Sequence, residues 1–328
     1  MPSFLGNADI VERLQTKLQD GRLPHSLVFS GPEGIGKRTF ALMIAKTLNC
    51  LGDTPTFCDS CVACEKIGAG THPDVTFLTI EADATRIKIE QVRKLLSILA
   101  LEPMEGAAKF FLIDPAEAMS PGAANALLKA LEEPPPRTFF ILITRNVFDL
   151  LVTIRSRSQV YHFSPLTLEQ VRRAGVEDEL VVRWSQGSIG RAFATDADAL
   201  REARDAMLEF LEMAITASET GLATLLSASA ELGRSKEDYS ERVRILGVLI
   251  SDLLFLREGI PGRLVNLDTE DRLRRLSSDL TSERLVQIGD CLKFIEGNLK
   301  YNLSRPLMTD ILALTLNKTT SEILNDNE

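Results

Sequence analysis

The stretch GPEGIGKRT, Gly31 to Thr39, places glycines and a lysine at the spacing G-x-x-x-x-G-K, through Gly31, Gly36 and Lys37. That pattern suits phosphate binding. Glycines, Gly34 among them, let backbone N–H groups face phosphate oxygens, the lysine brings charge, and a helix start adds its positive end. The next residue would ordinarily be a serine or threonine whose hydroxyl holds Mg²⁺, but here it is Arg38. Thr39 comes one residue late, which on a helix turns it about 100° away. ATP or ADP binding is therefore expected to survive, with magnesium placement compromised.

A second group of chemical residues lies at KFFLIDPAEAM. A short apolar strand ending in Asp114 has the form of the metal-associated carboxylate of a nucleotide hydrolase. The neighbour that would activate water is Pro115, which has no titratable group and cannot act as a base. Glu117 lies three residues beyond the strand end and is either a substitute base or a solvated carboxylate at a helix start. Thr144 closes the run TFFILIT, where a polar strand end could approach a terminal phosphate or simply cap the strand.

Four of the five cysteines fall between Cys50 and Cys64, as C-x7-C-x2-C-x2-C through Cys58 and Cys61. Four thiolates this close suit a closed, tetrahedral structural Zn²⁺ site; unligated thiols or an iron–sulfur cluster are the alternatives. His72, in THPDV, reads as a loop residue rather than a ligand because the sulfur set is complete. Such clustering is not a disulfide framework.

The elements that must position these residues can be read from apolar periodicity. SLVFSG, DVTFLTI, KFFLIDP and TFFILIT read as strands, separated by the helical patterns RTFALMIAKTLN, IKIEQVRKLLSILAL and GAANALLKALEE. Near-continuous apolar strands alternating with helices imply an α/β unit whose parallel sheet is covered on both faces. This unit is expected over residues 1–165, with the cysteine module inserted at 50–64. Three short helical patterns follow over 166–204, a small lid. Residues 205–328 read as an all-α bundle for packing and assembly, interrupted by the coil-prone GIPGRLVNLDTED and ending in a polar tail, NKTTSEILNDNE, expected to fray.

Composition narrows the function classes. With 328 residues, 45% of them hydrophobic, the chain can bury two or three domain cores, which excludes a disordered or fibrous reading. The start lacks a secretory pattern, and the apolar run ILGVLISDLLFL is broken by Ser251 and Asp252, far short of the ~18 residues of a membrane span. A cytoplasmic protein without a membrane partner is expected. The net charge of −9 argues against a chain that wraps nucleic acid alone.

Taken together, GPEGIGK, the cysteine insert followed by HPDV, the run NALLKALEEPPP from Asn125 to Pro136, and TIRSRSQ from Thr153 to Gln159 resemble the bacterial clamp-loader family of AAA+ proteins. Within it the likeness is to the delta prime subunits of DNA polymerase III. The resemblance implies a P-loop AAA+ module, a helical lid and a carboxy-terminal collar. It also implies assembly with gamma/tau and delta subunits, which places a sliding clamp on primed DNA. In that family a serine-arginine-cysteine motif offers an arginine to the ATP of the neighbouring subunit. Here the motif reads Ser156-Arg157-Ser158, so Arg157 is the residue expected to act in trans, and otherwise it and Arg155 are solvated charges. The lid motif GSIGRA has Gly190 where a sensing arginine is expected, with Arg191 one residue later. Arg38, Pro115 and Gly190 speak for little or no hydrolysis by this chain; Lys37 and Asp114 keep open an active motor subunit resembling gamma/tau.

Overall fold

The computed structural model describes residues 4–217, 221–232, 236–298 and 304–317. Along the first strand, β1 (Ser26–Ser30), side chains alternate between two cores: Leu27 and Phe29 pack on one face and Val28 on the other. In β3 (Lys109–Ile113), Phe110 and Leu112 face the first core while Phe111 and Ile113 face the second. Every residue of both strands is buried, as expected when helices cover both faces of a sheet. The other strands are β2 (Val75–Leu78), β4 (Thr138–Thr144) and β5 (Gln159–His162). All five are parallel, in the order β2-β3-β4-β1-β5.

The first core is built on α1 (Ala8–Gln19) and α2 (Lys37–Asn49), through Ile10, Leu14, Phe40 and Ile44. Phe40 sits within an aromatic cluster with Phe4, Phe29 and Phe163, ring centroids 4.9 to 5.8 Å away. Burying one such side chain contributes roughly 1.5–3 kcal/mol. The second core packs α4 (Ile89–Ser97) and α5 (Pro121–Glu132) through Val92, Leu95, Leu127 and Leu131. Registered neighbours in β3 and β4 stack directly: Phe110 on Phe139 and Phe111 on Phe140, at 5.2 and 5.3 Å.

The chain divides into two units, Met1–Glu177 with Ser185–Ala194, and Asp178–Trp184 with Thr195–Glu328. The three short helical patterns after the sheet are α7 (Leu168–Arg173), α8 (Glu179–Trp184) and α9 (Ile189–Ala194); α8 falls in the second unit. That unit is helical among the described residues. α10 (Ala197–Thr216), α12 (Lys236–Arg257) and α14 (Ser282–Asn298) bury Leu208, Leu211, Leu249, Leu253 and Ile288. The fully buried Asp252 accepts hydrogen bonds from the backbone N–H groups of Val265 and Asn266 and from Asn266 Nδ2. Buried Arg204 grips both oxygens of Asp268 at 2.6 and 2.7 Å.

Several local expectations are corrected. β5 was not expected from QVYH: its burial comes from pairing with β1, a long-range contact that no local apolar run signals. β3 stops at Ile113, so Asp114 is the first residue beyond it, its N–H donated to Leu78 O. The coil 259–271 contains two 3₁₀ turns and gives way at Glu270 to α13 (Glu270–Ser278). The tail from residue 318 onward lies outside the described residues, whereas Asn317 is buried and its Nδ2 donates to Ala214 O and Ala217 O.

Candidate functional site

Three neighbouring strands, β3, β4 and β1, end side by side, so the residues that follow them meet at one edge of the sheet. Ligands of open parallel α/β sheets bind at such carboxyl ends. There the loop after β1 and the start of α2 wall a cavity of about 310 Å³. Its lining includes Gly34, Gly36, Lys37, Arg38 and Thr39 from the loop, with Asp114 and Glu117 after β3. Thr144, at the end of β4, and Arg145, just beyond it, also line it.

The loop owes its path to backbone geometry. Gly36 caps α2 with φ 94°, and Gly34 has φ 74°, a region L side chains rarely adopt. A Cβ on Gly34 would also come within 2.2 Å of Ser188 Oγ. Gly34 O accepts from Gly190 N at 2.8 Å, and a Cβ on Gly190 would approach Gly34 Cα to 3.2 Å. The position where a sensing arginine was expected thus packs its backbone closely on the phosphate loop.

Lys37 is buried and its Nζ donates to Gly31 O and Pro32 O at 2.5 Å. Burial pushes its ammonium below the ordinary value, with Asp114, Glu117 and Glu33 pulling the other way. Burial likewise raises the Asp114 carboxyl, against the attraction of Arg38 and Lys37. Arg38 lies over the Phe77 ring, 4.9 Å from its centroid. Thr144 Oγ1 donates to Asn146 O at 2.9 Å, so its hydroxyl hydrogen is committed to its own loop. Glu117 Oε1 accepts from Arg145 N at 3.3 Å, while its buried Oε2 has no protein partner. Across the rim, Arg145 pairs with Glu33. Neither Glu33 nor Arg145 was legible as a site residue, because their pairing joins positions 112 residues apart.

The four clustered cysteines are brought together as expected: their sulfurs all lie within 4.8 Å of one another. Cys50 Sγ is 3.6 Å from Cys58 Sγ and 4.0 Å from Cys61 Sγ. Ligand sulfurs 2.3 Å from a tetrahedral metal are about 3.8 Å apart, so the donor set fits a metal ion. Gly52, Cys61 and Cys64 donate backbone N–H groups to the sulfurs of Cys50, Cys58 and Cys61, which favours thiolates. Hydrogen bonds from Ser60 draw the Cys58 thiol down to about 6, and burial pushes Cys64 up to about 12. Four thiolates in such a set call for a divalent cation to balance them. Cys61 also caps α3 (Val62–Gly68), and Phe57, Cys64 and Ile67 anchor the module in the first core. His72 is no ligand. It lies in the loop before β2, as expected, and is buried there, its Nδ1 accepting from Asp74 N.

Arg157 does not line the phosphate-loop cavity. It follows α6 (Val152–Arg155) and borders a separate recess with His25, Leu131, Glu132 and Ser156. Its Nε donates to Glu132 Oε1 at 2.7 Å, and its Nη1 to Thr153 O at 3.0 Å and Ser156 Oγ at 3.2 Å. Its side chain remains 34% exposed, so it is oriented yet reachable from outside. Ser158, in the motif's third position, bonds Ser26 Oγ at 2.7 Å and Ile154 O at 2.9 Å, tying the segment to β1. Glu132 was read only as part of the helical pattern GAANALLKALEE; its partner is 25 residues away, which no local pattern reveals.

Residues 6–167 match the family model described as DNA polymerase III, delta subunit. Residues 6–167 thus carry a domain of the clamp-loader family of DNA polymerase III. The chain is 40% identical over 170 residues to the tau subunit of Escherichia coli, covering 51% of this chain and 26% of that protein. To the delta prime subunit of Bacillus subtilis it is 34% identical over 194 residues, 59% of this chain and 57% of the relative. To the tau subunit of Bacillus subtilis it is 28% identical over 359 aligned positions, 98% of this chain and 62% of the relative. The chain thus spans about a quarter of the length of the Escherichia coli and Salmonella typhimurium tau subunits and under two thirds of the two Bacillus subtilis relatives. Among the described residues no helix is long and apolar enough to cross a membrane.

Proposed function

We propose that this chain is a delta prime-type clamp-loader subunit that completes a neighbour's ATP site with Arg157 and hydrolyses little or no ATP itself. The carrying observation is that Arg157 stands outside its own cavity, held by Glu132, Thr153 and Ser156 with part of its surface open. A guanidinium supplied in trans stabilises charge on a transferring phosphoryl group. In this reading the partners are gamma/tau and delta subunits, and the sliding clamp and primed DNA are met through the assembly in the cytoplasm. Residues 166–204 act as the lid, 205–328 as the collar, and the cysteine cluster holds a structural zinc ion. The site residues of the chain's own cavity are Gly34, Gly36, Lys37, Arg38, Thr39, Asp114 and Thr144, with Gly31 at the start of the same loop and Pro115 in place of a base.

One observation favours a second reading, an active motor subunit: Glu117 lines the cavity with one buried oxygen unpartnered by protein, as a substitute base would. Turnover by the chain alone, and mixed with motor subunits of the same organism, separates the two. Under the first reading the isolated chain is silent, and Arg157→Ala abolishes the turnover that depends on it. Arginine fingers are worth about a thousandfold or more at the site they serve. Turnover by the isolated chain that disappears in both Lys37→Ala and Glu117→Gln establishes the second.

A further inference from the structure

A magnesium ion in this cavity would need a hydroxyl at position 38 and a strand-end carboxylate open to the metal or its water. The residues present do not fit it. Position 38 carries a guanidinium, a cation where another cation would have to sit, and it lines the same cavity as the Asp114 carboxylate that should face the metal. The aromatic face of Phe77 holds that guanidinium on the cavity wall, 4.9 Å from the ring centroid. Of the charges acting on Asp114, Arg38 contributes the largest attraction, ahead of Lys37.

Charge balance points the same way. The lining carries Lys37, Arg38 and Arg145 against Glu33, Asp114 and Glu117. Arg145 and Glu33 pair at the rim, which leaves Lys37 and Arg38 opposite Asp114 and Glu117. A hydroxyl residue at 38 would leave the interior one negative charge in excess, and an incoming phosphate would then require a divalent cation. Arg38 removes that excess. A guanidinium also meets phosphate oxygens with directed, charge-assisted hydrogen bonds, as a metal-bound water would.

The cavity, about 310 Å³, lies at the small end of ligand pockets, which run from about 300 to 1,000 Å³. Its lining has no aromatic ring or side-chain amide with which to read a nucleobase; it offers loop N–H groups, charges, the hydroxyls of Thr39 and Thr144 and small apolar contacts. Its recognition is therefore for the phosphates themselves. We propose that this cavity binds a diphosphate group without a divalent cation, with Arg38 taking the place of magnesium. This deepens the reading that the phosphate loop still binds and is independent of what Arg157 does for a neighbour.

Calorimetric titration of the full chain tests it, with ADP and with inorganic pyrophosphate. Each is titrated in buffer freed of divalent cations over chelating resin, which spares a tightly held ion in the cysteine cluster, and again in excess magnesium. Both ligands are expected to bind without magnesium, and its addition is expected to change the affinity by less than about threefold, below the tenfold that one lost strong contact produces. Arg38→Thr, which restores a hydroxyl, is expected to lose about tenfold or more in magnesium-free buffer and to recover with magnesium. Arg38→Gln, checked for an unchanged melting temperature, loses affinity without that recovery. Wild-type binding that requires magnesium overturns the proposal. So does Arg38→Thr binding unchanged without it, ADP binding without pyrophosphate binding, or no binding of either ligand at millimolar concentration. The Arg157→Ala turnover assay reads the subunit's role separately, so the two failures are distinguishable.

Discussion

Asp74 shows how one side chain can shape a surface loop. Its carboxylate accepts from the backbone N–H groups of Met104, Glu105 and Gly106 at 2.7 to 2.8 Å, so a segment about thirty residues downstream is pinned by a single buried acid. Burial alone would raise this carboxyl, but the amides of Gly106, Met104 and Glu105 outweigh it and hold it below its ordinary value. The sign of the linkage follows. A depressed folded-state value means that the contribution is full above the unfolded value of about 3.9 and is lost as pH falls through the folded one. Urea unfolding from pH 7 down to pH 3 is expected to show Asp74→Asn less stable by about 1–3 kcal/mol at neutral pH, the gap to wild type closing below about pH 4. A gap that persists unchanged in acid would mean that shape, not charge, sets the contribution of Asp74.

At the scale of elements, the cysteine module depends on two supports. Its hydrophobic side joins the first core through Phe57 and Ile67, and Lys46 of α2 pairs with Asp59 while lying 5.6 Å from the Phe57 ring centroid. Its other side gathers four sulfurs within 4.8 Å of one another. Purified chain is expected to contain about one equivalent of zinc by elemental analysis and to melt at lower temperature after chelation, because metal binding to such a cluster is coupled to folding. Metal-free protein with an unchanged melting curve would remove zinc from this account. A lower melting temperature with the turnover stimulation of a partner retained would show that the module stabilises and does not catalyse.

For the whole molecule, the decisive quantity is charge. A chain carrying a net −9 has no broad surplus of lysine and arginine with which to displace counterions from a phosphate backbone. Alone, it is expected to bind primed DNA more weakly than about 10⁻⁶ M at physiological salt in fluorescence anisotropy, the weak side of non-specific binding. Tight binding by the isolated chain with a steep salt dependence would require a concentrated basic surface and would give this chain a direct DNA role. The same acidic balance is compatible with contact to DNA through an assembly whose other members bring the positive charge.

The amino-acid order by itself determined the elements with strong local signals. Four strands are near-continuous apolar runs, and the loop between β1 and α2 is written in glycines and a lysine at fixed spacing, because strand burial and phosphate geometry each demand particular residues at neighbouring positions. The sulfur cluster was legible for the same reason, its ligands lying within fifteen residues. Tertiary structure alone decided what depends on contacts between distant segments. β5 exists because it pairs with β1, Glu132 orients Arg157 from the end of α5, and Glu33 and Arg145 meet across the cavity rim. Gly190 is the sharpest case. In the sequence it reads as a missing arginine, whereas in the fold its backbone packs on Gly34, where a Cβ would meet Gly34 Cα at a tight 3.2 Å. Periodicity records which face of an element is buried, but only the packed chain records what that face meets.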